Sequence, residues 1–177
     1  MTNALFVKWL THDLATPVAT VMTASELLGD QPDPEINGLV ADAAKRLGSR
    51  LQIVRAAMAP GSGPQGAAGL EKLLRAGLEG TPLTAAFTTD FVADGAHTAV
   101  IACAALLLAD LRRGQPLTIS ASGAHWATPA PFADAVAATL AGSPASDTRS
   151  ALAAMLVAAT NHAGLVITLT PDGIDWR

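Results

Sequence analysis

"LTHDLATPV", residues 10–18, sets a histidine, an aspartate, a threonine and a proline inside a segment that otherwise reads as helix. Around it, apolar positions recur at Val7, Leu10, Leu14, Val18, Val21 and Leu28, with Ser25 as one small polar member. That spacing predicts an amphipathic helix over residues 4–29. An interior proline costs a helix about 3 kcal/mol, and Pro17 leaves the carbonyl of Asp13 without its usual donor. At about 100° per residue, with Leu10 at zero, the apolar stripe falls within about 80° and His12 falls near 200°. Lys8, Thr16, Ala19, Thr23 and Glu26 lie on the same side as His12. The histidine is therefore expected to face water from the flank of a rigid helix.

Downstream, "GDQPDPE" stops this helix at Gly29 and starts another, with Asp33 as N-cap and Pro34 at the first helical position. The second helix is expected from Pro34 to Met58, with Ile36, Val40, Ala43, Leu47, Val54 and Met58 along one face. Two such helices joined by a short turn make an antiparallel hairpin. A lone hairpin cannot bury both apolar stripes; two hairpins together give a four-helix bundle with a dry core.

"APGSGPQGAAG", residues 59–69, is rich in Gly and Pro and reads as a linker, so the expected division is residues 1–60 and residues 70–177. Beyond it, helices are expected at 70–79, 96–111, 130–141 and 147–163, and strands at 84–88, 116–122, 164–170 and in the closing "IDWR". The fold class is α+β: a helical hairpin followed by a small α/β sandwich with a mixed sheet.

Half of the 177 residues are apolar, mostly Ala, Leu and Val, with no Tyr, so a real core is available. A net charge of −4 and scattered Lys and Arg leave no basic footprint for nucleic acid. The longest apolar run, Ala99–Ala109, is too short to span a bilayer and the first residues do not resemble a signal peptide, so a cytoplasmic protein is expected. The single cysteine, Cys103, sits in that run and reads as a small buried hydrophobe. His97, His125 and His162 lack metal-ligand spacing and read as structural or surface residues. Leu5, Phe6 and Trp9 form a second apolar strip, either packing on the C-terminal unit or docking a partner.

"HDLATP", residues 12–17, resembles the phosphoacceptor box of the dimerisation and phosphotransfer domain of sensor histidine kinases. The likeness widens to the ChpT-type histidine phosphotransferases of alphaproteobacteria. It takes in "ELL" after the box, "RLQIVRAAMAPG" (50–61), "AALLLADLRRG" (104–114) and "AGLVITLT" (163–170). The resemblance implies a homodimer built on a four-helix bundle, with a second domain like a kinase ATPase domain that has lost its nucleotide. The sequence agrees with that loss. The only asparagines are Asn3, Asn37 and Asn161, none of them on the 96–111 helix, and no Asp-x-Gly-x-Gly occurs.

The same resemblance implies a phosphorelay intermediate that accepts phosphate from an aspartyl phosphate on a response-regulator receiver, including the receiver of a hybrid histidine kinase. It would use no ATP and no cofactor of its own, with Mg²⁺ brought by the receiver. His12 is the implied phosphoacceptor. Asp13 orients the imidazole, contacts the receiver or is simply a solvated acid. Thr16 positions a water for receiver dephosphorylation or bonds its own helix. Lys8, Trp9, Ala19 and Thr23 form the candidate partner-binding set. The alternative function is a non-catalytic module of the same fold that binds receivers or kinases.

Overall fold

The computed structural model describes residues 2–27 and 33–177. Helix α1 (Thr2–Glu26) and helix α2 (Pro34–Met58) form the expected antiparallel hairpin. Leu28 and Gly29 lie outside the described residues. Helix α1 runs unbroken through Pro17. At the start of α2 the Asp33 carboxylate accepts from the amides of Glu35 and Ile36 at 2.8 and 3.3 Å, with Pro34 just inside, as the sequence indicates.

The coil after α2 is shorter than the Gly/Pro content suggests. Strand β1 (Gln65–Gly66) pairs antiparallel with β3 (Val92–Ala93), and α3 (Ala67–Gly77) follows at once. The segment is also pinned, because a Cβ at Gly95 would collide with the carbonyls of Pro60 and Ser62. It carries no break in the core: Phe6, Trp9, Ile53, Val54 and Ala57 belong to the same buried cluster as the C-terminal unit.

That unit is a mixed five-stranded sheet in the order β2 (Leu83–Ala86), β4 (Leu117–Ser120), β5 (Gly123–Trp126), β7 (Gly173–Trp176), β6 (Ile167–Thr170). Only β2 and β4 are parallel. Helix α4 (Gly95–Leu111) is apolar all round and buried over most of its length. It packs against α2, α6 (Thr148–Ala163) and the sheet. The short α5 (Asp134–Leu140) packs on α6 and is held to seven residues, with Pro129 and Pro131 before it.

Two expectations change. Residues 116–122 do not form one long strand. The chain turns after Ser120, and β5 pairs antiparallel with β4 through Ile119 opposite Ala124. On α1 the Leu5, Phe6, Trp9 strip packs inward, the first of the two uses expected of it. Phe6, Trp9 and Ala24 are buried, with Leu5 and Leu10 beside the core, while Val7 and Val18 of the stripe stay exposed. On α2, Ile53 is the fully buried residue that the expected face missed, and Met58 of that face is exposed.

Candidate functional site

The helical arithmetic places His12 correctly: its side chain is exposed on α1. It points neither into the core with Phe6 and Trp9 nor along the stripe that holds Val7 and Val18. Lys8, Thr16, Ala19 and Thr23 are exposed as well, so the polar face of the helix is continuous around the imidazole. Thr16 lies one turn beyond His12, and its carbonyl accepts from the Thr20 hydroxyl at 3.0 Å. Trp9 is the exception in the partner-binding set. At 5% exposure it is a core residue stacked on Phe6 with 5.6 Å between ring centroids, and it has no surface to offer a partner. The Leu5, Phe6, Trp9 strip is thus spent on internal packing.

The Asp13 carboxylate is held by the second helix. Arg50 of α2 donates to both of its oxygens, Nε to Oδ2 at 2.5 Å and Nη2 to Oδ1 at 3.0 Å. The same guanidinium donates from Nη1 to the carbonyl of Gly77 at 3.0 Å and lies 5.5 Å from the centroid of the Trp9 ring. The sequence singled out Asp13 but not Arg50. The two are 37 residues apart, and only the register of the hairpin joins them.

Below this pair the hairpin and the C-terminal unit enclose a groove of about 680 Å³. Its walls are Asp13, Thr16, Pro17 and Thr20 of α1, Leu39 to Arg50 of α2, the turn after α3, and the C-terminal end of α4. Three arginines line it, each facing a carboxylate: Arg50 with Asp13, Arg46 with Glu79 at 3.2 Å, and Arg113 with Asp110 at 3.2 Å. Asp42 adds a fourth carboxylate to the lining, and the groove opens on the half of α1 that follows His12.

The remaining histidines lie apart from His12: two are hydrogen-bonded in or beside the sheet and one is on the surface. His97 Nε2 is 2.7 Å from the Ala121 carbonyl, to which Trp176 Nε1 also donates at 2.8 Å. His125 sits on the sheet with Nε2 3.0 Å from an oxygen of Asp175. His162 is exposed near the end of α6. Among the described residues, no cluster of three or more His, Cys, Asp or Glu has metal-site geometry, and no helix is long and apolar enough to cross a membrane.

No family model matches the sequence, and no curated protein matches it. Among solved structures, one described as "1.7 Angstrom Structure of a Bacterial Phosphotransferase" aligns with a TM-score of 0.72 at 16% identity. The alignment covers 99% of this chain and 94% of the other. The whole chain, hairpin and sheet together, therefore shares the fold of a bacterial phosphotransferase.

Proposed function

We propose that the chain is a histidine phosphotransferase of a two-component phosphorelay, with His12 as the residue that carries phosphate between receiver-domain aspartates. The observation that bears this reading is the position of His12. It sits in the box His-Asp-Leu-Ala-Thr-Pro, exposed on a two-helix scaffold, with the groove beginning one residue after it. The shared phosphotransferase fold supports the same class of chemistry.

In the forward step, the unprotonated ring nitrogen of His12 attacks the phosphorus of a receiver's aspartyl phosphate in line. A nitrogen–phosphorus bond forms, the bond from phosphorus to the aspartyl oxygen breaks, and the carboxylate leaves with the electron pair. The other ring nitrogen releases its proton to solvent. In the return step the free ring nitrogen takes a proton back from solvent, a second receiver's carboxylate oxygen bonds to the phosphorus, and the nitrogen–phosphorus bond breaks to release the neutral imidazole. The catalytic demand on this chain is alignment, since phosphoryl transfer depends on positioning and charge neutralisation more than on new covalent chemistry. A docked receiver would supply the Mg²⁺, which would offset charge on the moving group. Thr16, exposed one turn beyond His12, would hold a water near the phosphoryl group.

The working unit is a homodimer. Val7, Val18 and Met22 share one side of α1, and Leu51 and Met58 share one side of α2. All five are exposed in the single chain, Met22 at 59%. A second hairpin set against them closes a four-helix bundle and leaves His12 outside it. The C-terminal unit would act as a docking wall and not as an ATPase, since α4 carries no asparagine.

The test is to mix the protein with a receiver carrying radiolabelled aspartyl phosphate. Acid-labile, base-stable label should appear on the protein and be absent from His12→Ala. Receiver binding without label would instead establish the non-catalytic module.

A further inference from the structure

We propose that Arg50 is a positioning residue for His12, acting through Asp13; the proposal rests on the phosphotransfer reading. Pro17 has no N–H, so the Asp13 carbonyl lacks its helical donor in the very turn that carries the histidine. A helix weakened there lets the imidazole wander unless something else fixes the turn. Arg50 supplies that restraint. Its fork grips both oxygens of Asp13, and two parallel bonds set orientation as well as distance.

The pair is unusual for this molecule. Side-chain exposure is 19% for Arg50 and 13% for Asp13. Every other ion pair among the described residues has at least one partner exposed at 41% or more. The third arm of the guanidinium reaches Gly77 at the end of α3, and its face lies over Trp9. One side chain thus ties the His12 turn, the second helix and the C-terminal unit together. With both oxygens engaged, Asp13 serves to orient the turn and not to accept a proton from the ring.

The experiment uses the full chain and a phosphorylated receiver in single-turnover transfer, comparing wild type, Arg50→Met, Asp13→Asn and the double variant. Methionine keeps the apolar stem over Trp9 and removes the fork. Each single variant should lose about 10- to 100-fold in transfer rate at saturating receiver, the scale of a small misplacement of reacting groups. The half-saturating receiver concentration should stay unchanged. The double variant should fall no further than the worse single one, because both changes break one contact. It also orphans no buried charge, so it carries the same expectation where a single variant fails to fold. Hydrogen exchange at the amides of residues 12–16 should quicken in all three variants. Wild-type rates in the variants, losses that multiply in the double variant, or an effect on half-saturation alone would overturn the inference while leaving His12 as phosphoacceptor. If wild type itself takes no label, the phosphotransfer reading falls and takes this inference with it.

Discussion

Gly77, the last residue of α3, lies so close to Ile53 of α2 that a Cβ added to it would stand 2.5 Å from Ile53 Cγ2. Ile53 is fully buried, so it has nowhere to retreat. The absence of a side chain at residue 77 lets the C-terminal unit come up against the hairpin, and the Gly77 carbonyl then receives Arg50. Gly77→Ala is expected to destabilise the fold by about 1–3 kcal/mol through overpacking. Ile53→Ala alone should cost about 2–5 kcal/mol. The two together should cost less than their sum, because the cavity left by one receives the methyl of the other. Urea unfolding of the four proteins measures this; strict additivity would show that the two residues do not meet.

The exposed apolar residues of the hairpin lead to a second expectation. Val18→Glu with Met22→Glu places two charges where the bundle reading puts a dry interface. Each buried apolar side chain contributes about 1.5–3 kcal/mol, so the pair should weaken association by more than about 100-fold. Light scattering should give two chains of 17.9 kDa for wild type and one for the variant, with unchanged circular dichroism. A wild type that runs as one chain at high micromolar concentration would remove the dimer.

Much of this was legible in the sequence because the signals are local. Asp33 and Pro34 announce the start of α2, and the periodicity of α1 sets His12 apart from the apolar stripe. The apolar run through Leu106, Leu107 and Leu108 marks the central helix. What failed was long-range. Trp9 reads as surface or core with equal ease until the C-terminal unit is known to pack on its side of α1. Arg50 reads as one more polar position on a helix until the hairpin register sets it against Asp13. Strand β5 escaped because Gly-Ala-His-Trp has neither β-branched residues nor a clean alternation. Gly173 on the neighbouring β7 is needed because a Cβ would collide with the Ala124 carbonyl oxygen and stand 2.7 Å from His125 Cα, a constraint visible only across strands.

Cys103 offers a test of the core at the heart of α4. The thiol is 2% exposed, and burial pushes its pKa up to about 12. The thiolate is the reactive form, so the native protein should be inert to a disulfide reagent at pH 8. Its rate of modification should rise with urea in step with the fraction unfolded. Fast modification without denaturant would mean that α4 opens to solvent in the native state.

The start of α6 carries the pH dependence that can be worked out. The Asp147 carboxylate accepts from the Ser150 amide at 2.7 Å, while the Ser150 hydroxyl accepts from the Asp147 amide at 2.8 Å, a reciprocal cap. The backbone bond from Ser150 holds the Asp147 carboxyl below the usual carboxylate range. A group whose folded pKa is depressed adds stability that is fully present above its unfolded value, near ~3.9, and is lost as pH falls through the folded value. Asp147→Ala should therefore cost about 1 kcal/mol at pH 7, the usual worth of an N-cap. The gap to wild type should hold down to about pH 5 and narrow below about pH 4. Because the other carboxylates are common to both proteins, urea midpoints compared pairwise across pH isolate Asp147. A gap that stays constant at acid pH would show that the charge of Asp147 contributes nothing to the cap.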